Sequence, residues 1–410
     1  MLFSKRAKSI ISVLLLILFF LGVSFGCIYY VCYQEHFVEI GKKDKAIILI
    51  PGLYGSALMD PDSDLSYWSL NLDAYYGIIN KGYAEKLYEV DEDQNFLLNV
   101  KPADMNDADS LRYSLLYVLT PLYKEIKKEL KKEKNDEYEV LVWQYDWRQS
   151  NEDSANELEK FINDKGYDKV ILAGHSMGGV VISNYLTKKE NRDKVELFVP
   201  ICSPLLGAGV MMYYQTNECE YAIANILGKN VYQTGCNNMS SIHQMFSVDE
   251  IEKFNYNSNN SISNSMYTLD GENAKPSEIV DFLATTSYLK NRKGDTWKSI
   301  TNLDSYHDRL FYTDDEGMSQ HISHKVNTFY VVGTEVNTFV GLNMNTETVK
   351  FDNLISEPIG DGLLIWYSGT AGTPIDSDNV YTISGVQHYR VPSQAVVVKE
   401  ITSKISEMWN

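Results

Sequence analysis

The chain has 410 residues, 44% of them apolar, and a formal net charge of −18. That apolar share sustains a large core and excludes a disordered chain. So acidic a surface repels phosphate backbones and excludes nucleic acid as a partner.

Lys5, Arg6 and Lys8 precede a charge-free apolar run from Ile10 to about Tyr33. The run is long enough to span a bilayer as a helix. Its positive flank lies on the short N-terminal side, which puts the rest of the chain outside the cytoplasm. Residues 1–33 therefore read as a cytoplasmic basic tip and a transmembrane anchor; the alternative is a signal peptide whose cleavage releases a secreted chain.

"KAIILIPG" then reads as a short strand stopped by Pro51-Gly52. Residues 56–135 read as a lid or crossover insertion, with leucines at helical spacing and a helix restart at Thr120-Pro121. "YEVLVWQYDWR", from about Glu139, is a second strand, "KVILAG" a third and "KVELFVPI" a fourth. Their apolar runs are continuous, as in parallel strands buried on both faces. Helical patterns at 153–165 and 178–189 separate the last three, and this is the rhythm of a doubly wound α/β sheet. After Pro204 the rhythm stops, and 205–324 reads as a cap insertion containing the polar stretch "NYNSNNSISNS". Strands resume with "NTFYVVGT" at 327–334 and "NVYTISG" near 379, and a helix closes the chain from about Pro392. The core thus comprises 34–204 and 325–410, and there are no internal repeats.

The segment "VILAGHSMGGVVI" at 170–182 carries the chemistry. Gly174-His175-Ser176-Met177-Gly178 matches G-x-S-x-G between a strand and a helix, the setting in which a sharp turn exposes a serine nucleophile. The Met177 N–H then faces a developing oxyanion at the helix N-terminus. The second donor belongs in the loop after the first strand, "PGLYGS", where the Leu53 N–H is the candidate. A serine needs a base, and of the later histidines only His388 follows the last strand. The orienting acid belongs between 334 and His388; Asp361, in "PIGDGLLIW", stands in a tight loop, with Asp376 and Asp378 as alternatives by spacing. His175 reads as structural, and His321 and His324 as surface or packing residues.

Cys202 reads as a small buried hydrophobe. Cys219 and Cys236 lie in an irregular polar region, either as two separate thiols or as a disulfide contributing about 3 kcal/mol by loop entropy. No Cys/His cluster has zinc spacing, and "DPDSDLS" at 60–66 lacks the glycine and closing glutamate of a calcium loop.

Taken in order, "LIPGLYGSAL", "YDWR", "AGHSMGG", "IGDGLLIW" and "GVQHYRV" resemble the motifs of the lecithin:cholesterol acyltransferase family, which includes lysosomal phospholipase A2 and phospholipid:diacylglycerol acyltransferases. The resemblance spans roughly residues 45–205 and 325–408. It implies an α/β-hydrolase fold with a cap, a mostly parallel sheet and helices on both faces. It also implies Ser176 as nucleophile, Asp361 as orienting acid, His388 as base, and Leu53 and Met177 as oxyanion donors. Trp68 in "LSYWSL" resembles the tryptophan of the family's lid, and with Tyr75 and Tyr76 it is a candidate for a lipid-facing cap or for cap packing. Two departures stand out: no cysteine lies between Cys32 and Cys202 to form the lid disulfide, and Leu363-Leu364 replaces the usual Thr-Val. The chemistry implied is acyl transfer from a lipid ester at a membrane, with no cofactor and no metal. A carboxylesterase or neutral lipase acting on small or neutral esters, and a catalytically silent, membrane-tethered binding protein, are the rival readings.

Overall fold

The computed structural model describes residues 43–63, 65–68, 85–103, 118–217, 228–254 and 266–409. The expected anchor at 1–33, the cap candidates Tyr75 and Tyr76, and Cys219 of the candidate disulfide lie outside the described residues. Among the described residues no helix is long and apolar enough to cross a membrane. The chain divides into Met1–Lys43 and Asp44–Asn410, and every element below lies in the second unit.

Six strands form one sheet: β1 (Lys45–Ile50), β2 (Tyr138–Val142), β3 (Lys169–His175), β4 (Val195–Ile201), β5 (Tyr330–Thr334) and β6 (Val380–Ser384). Their order is β6–β5–β4–β3–β1–β2, and every neighbouring pair is parallel. Three of the four continuous apolar runs, β1, β3 and β4, are central strands covered on both faces; the fourth, β2, lies at one edge of the sheet with Glu139 and Val140 only partly buried, and the other edge strand, β6, has no fully buried residue. Alternate side chains feed two cores. Ile47, Leu49, Ile171 and Ala173 join one cluster, and Ala46, Ile48, Val170 and Leu172 the other.

Helices cover each face. α1 (Thr120–Lys132) starts with Pro121 in its first turn, as the Thr120-Pro121 signal predicts, and buries Leu122, Ile126 and Leu130. It shares the first cluster with the closing helix α4 (Ala395–Ser406), through Val397, Ile401 and Ile405. On the other face lie α2 (Asn151–Lys165) and α3 (Met177–Tyr185). α2 begins two residues before its periodic pattern, because the Ser150 hydroxyl accepts the Asp153 N–H at 3.0 Å; it ends at Gly166 in a left-handed conformation.

Outside the central sheet the described residues include a second, smaller sheet, which takes in part of the 325–410 segment expected in the core. After β5 the chain does not return at once to the central sheet. Val336–Asn345 and Lys350–Gly360 form an antiparallel hairpin, and its first strand pairs in parallel with Tyr267–Leu269 of the 205–324 insertion. Glu272–Ala274 completes this four-stranded sheet.

Three histidines are enclosed without charge, and a fourth, His307, is half-buried. Burial pushes His175, His243 and His321 down to about 3 and His307 to about 4. An unfolded histidine titrates near 6.5, so between roughly pH 6.5 and 4 the unfolded chain binds protons that the folded chain refuses. Stability is therefore expected to fall as pH falls through that window, by about 1 kcal/mol per pH unit for each histidine. Denaturant unfolding at pH 7, 6 and 5 checks this; a free energy that stays level across the three would contradict it.

Candidate active site

Ser176 stands between β3 and α3 at φ 52°, ψ −125°. The glycines around it are required by contact. A Cβ on Gly178 would run into the Ile50 carbonyl oxygen, and one on Gly52 would sit 2.9 Å from Ser176 Cβ. This close approach brings the loop after β1 against the serine. Tyr54 holds φ 64° in that loop, and the Gly55 N–H closes a turn onto Gly52 O at 2.9 Å. The Leu53 and Met177 N–H groups bond to no acceptor among the described residues, and both stand beside Ser176 along the chain or across the Gly52 contact.

The loop is held from outside by the end of β2 and the residues after it. Tyr145 Oη donates to Pro51 O at 2.9 Å, and Trp147 Nε1 to Ser56 O at 3.1 Å. The Tyr145 N–H bonds Ser56 Oγ at 3.1 Å, and Gln144 Oε1 accepts the Ala57 N–H at 3.1 Å. Trp68 adds a bond from Nε1 to Tyr54 O at 2.9 Å and is 2% exposed, packed on Tyr54 and Trp147. Of the two roles open to Trp68, packing is the one this position serves, and a ring so enclosed offers no face to lipid. The bracing by Gln144, Tyr145 and Trp147 was not read from the sequence. Its signal was present in "WQYDW", where polar and aromatic residues break the apolar run at the strand end.

Asp361 and His388 meet past the carboxyl ends of β5 and β6. Asp361 is 1% exposed; its Oδ1 accepts the Leu363 and Leu364 N–H groups at 3.0 and 2.8 Å, and its Oδ2 lies 2.8 Å from His388 Nδ1. The His388 N–H also donates to Asp361 O at 2.9 Å. Burial opposes the Asp361 charge, but His388 and the two backbone N–H groups outweigh it and hold the carboxyl below its usual range. The alternatives Asp376 and Asp378 are exposed, and neither bonds to His388.

His388 Nε2 is buried and has no hydrogen-bond partner. The ring of His175, the residue before Ser176, lies 5.1 Å from that of His388. His175 is neutral and its Nε2 is 3.3 Å from His388 O, so it donates there and supports the base from behind. Ser176 Oγ makes no hydrogen bond among the described residues, and neither does His388 Nε2.

The remaining candidates sit apart. His321 is buried rather than on the surface, with Nδ1 2.9 Å from Ser323 Oγ, while His324 Nδ1 lies 3.0 Å from Gln320 Oε1. Cys236 is buried in the helix Lys229–Asn238. Among the described residues the cluster of metal-ligand types is Cys202, Asp361 and His388, and the acid–base pair takes up two of its three members.

A serine strained at a strand–helix turn, with an acid–histidine pair at the ends of neighbouring strands, is the arrangement of the α/β-hydrolase fold. The family model that matches the sequence is that of lecithin:cholesterol acyltransferase. The match covers residues 105–266, which include "YDWR" and "AGHSMGG" with Ser176; the three other motifs lie outside it. No curated protein matches the chain. Among solved structures, a chain of the Tle4–Tli4 complex superposes with a TM-score of 0.60 at 14% identity, covering 89% of this chain and 99% of that one. At that identity the likeness establishes the fold. The lipase BlEst2 of Bacillus licheniformis (11% identity, 89% and 92% covered) and the monoglyceride lipase of Saccharomyces cerevisiae (10%, 90% and 86%) superpose with TM-scores of 0.36 and 0.34.

Proposed function

We propose that this chain is a serine-dependent lipid acyl hydrolase or acyltransferase acting on phospholipid or glycerolipid esters. The observation that carries the reading is the Asp361–His388 bond of 2.8 Å, made past the carboxyl ends of the parallel strands, where β3 also ends at the strained Ser176. The similarity to the lecithin:cholesterol acyltransferase family over residues 105–266 supports an ester as substrate and lipid as its class.

His388 takes the proton of Ser176 as Oγ attacks the ester carbonyl. Asp361 fixes the Nδ1–H tautomer and stabilises the imidazolium. The Leu53 and Met177 N–H groups receive the oxyanion of the tetrahedral intermediate. His388 returns the proton to the departing alcohol, and an acyl-serine remains. Water or a second alcohol, deprotonated by the same His388, attacks it and regenerates the serine. The charge-free run at 10–33 supports tethering to a membrane, with the catalytic unit on the extracytoplasmic side, where lipid is concentrated.

The test uses the full chain in detergent-solubilised membranes, beside Ser176→Ala. Each is mixed with phospholipid vesicles that contain a long-chain alcohol, and free fatty acid, lysolipid and new ester are separated. The expected result is product from the parent chain and none from Ser176→Ala: fatty acid alone identifies a hydrolase, new ester an acyltransferase. Absence of product, with Ser176 still labelled by a fluorophosphonate, would overturn the lipid assignment in favour of small esters. Absence of labelling would overturn the enzyme reading altogether.

A further inference from the structure

We propose that Cys202 is a positioning residue for the acid–base pair, its thiol donating to the Asp361 carboxylate and so setting how firmly that carboxylate holds His388. This rests on the function proposed above and assigns part of the control of its base to a residue no motif marks.

Cys202 is the first residue after β4 and is 0% exposed. Its Sγ, a carboxylate oxygen of Asp361 and a ring nitrogen of His388 all lie within 4.8 Å of one another. The backbone there is strained: Cys202 has φ 48°, a conformation that glycine adopts freely and a residue with a β-carbon does not. Its neighbours impose it. The Cys202 N–H donates to Val331 O on β5 at 2.7 Å, and the adjacent Ser203 Oγ donates to Gly174 O at 3.1 Å. Strain of this kind persists where the surroundings over-determine it, and it clusters at functional sites. Here the strained position sets a sulfur within 4.8 Å of the buried carboxylate that orients the base.

The carboxylate has room for that donor. Two backbone N–H groups occupy Oδ1 and His388 occupies one site on Oδ2, while an ionised carboxylate offers about four acceptor sites. Burial pushes the Cys202 thiol well up, and the Asp361 charge pushes it further, so the sulfur keeps its proton and is available as a donor. Asp361, Cys202 and His175 are titratable groups beside His388. Asp361 supplies the negative charge, His175 is held neutral at about 3, and Cys202 is a neutral thiol. A donor on the carboxylate withdraws part of its charge and weakens its hold on the imidazolium. Removing the thiol strengthens that hold, raises the pKa of His388, and keeps the base protonated to higher pH.

The test compares Cys202→Gly, which relieves the backbone and removes the donor, with Cys202→Ser, which retains a donor. Full-length chains are followed by kcat/KM on a p-nitrophenyl acyl ester, and by the rate of fluorophosphonate labelling of Ser176, from pH 5 to 9. The acidic limb of Cys202→Gly is expected to move up by ~0.5 pH unit, with labelling at pH 6 slowed about three-fold, while Cys202→Ser keeps the parent limb. Should the glycine variant not fold, Cys202→Ala gives the same comparison. Limbs that coincide in all variants, with only Tm or KM changed, would reduce Cys202 to packing, and limbs displaced equally in the glycine and serine variants would deny the donor. An unlabelled Ser176 in the parent chain is a separate outcome: it overturns the proposed function and takes this inference with it.

Discussion

Asp361→Asn is expected to lower kcat/KM by roughly 10,000-fold while leaving the fold intact, the size of loss seen when a triad acid becomes an amide in serine proteases. The reason lies in the acceptors. Oδ1 receives two backbone N–H groups, from Leu363 and Leu364, and Oδ2 faces His388 Nδ1. An asparagine cannot turn its NH2 toward two donors, so its oxygen stays with the backbone and its NH2 points at His388. Nδ1 must then accept, which places the ring proton on Nε2, the nitrogen that has to take the proton of Ser176. The base is present but in the wrong tautomer. Ester turnover and fluorophosphonate labelling, with a thermal scan to show that the fold persists, measure this. Activity within ten-fold of the parent chain would remove Asp361 from the role.

Arg148→Met is expected to destabilise the protein by about 3–5 kcal/mol, the cost of breaking a buried ion pair from one side. Arg148 is 1% exposed. Its Nε and Nη2 bond both oxygens of Asp146 at 2.9 and 2.8 Å. Nη1 and Nη2 also reach Leu87 O and Leu98 O at 3.1 and 3.2 Å, and the guanidinium lies 4.6 Å from the centre of the Phe96 ring. Methionine fills much of the volume, but it strands the mostly buried Asp146 carboxylate and two carbonyls. The loss should be larger than for replacing an exposed pair such as Lys160–Asp164, which contributes little in water. Because Trp147 and Tyr145 brace the oxyanion loop from the same segment, turnover should fall as well. Urea midpoints of Arg148→Met and Lys160→Ala decide the matter; comparable midpoints would mean that the Arg148 network adds nothing beyond a surface pair.

The sequence by itself determined the features that are local. "KAIILI" and "KVILAG" announce central parallel strands, because a strand covered on both faces has no polar side to alternate with. G-x-S-x-G announces the serine, because the turn's tolerance for side chains is settled within five residues. Pro121 marks the start of α1 for the same reason: its ring fixes one backbone angle wherever the rest of the chain lies. The position of His388 after the last strand also followed from chain order.

Only the tertiary structure decided the rest. Asp361, Asp376 and Asp378 are alike in spacing, and the choice among them is made by a loop that folds back beside β5 after the hairpin 336–360. The pairing of that hairpin with Tyr267–Leu269 joins segments about 75 residues apart, and no short-range pattern encodes such a contact. Trp68 passes for a lid aromatic in sequence, and it is the packing of Tyr54 and of the distant Trp147 that closes it off. Cys202 passes for a small core residue until φ 48° and the Asp361 carboxylate are placed around it. Periodicity and turn chemistry act over a few residues and can be read from them. Which carboxylate orients the base, and which residues hold the oxyanion loop, depends on long-range packing that exists only once the sheet has formed.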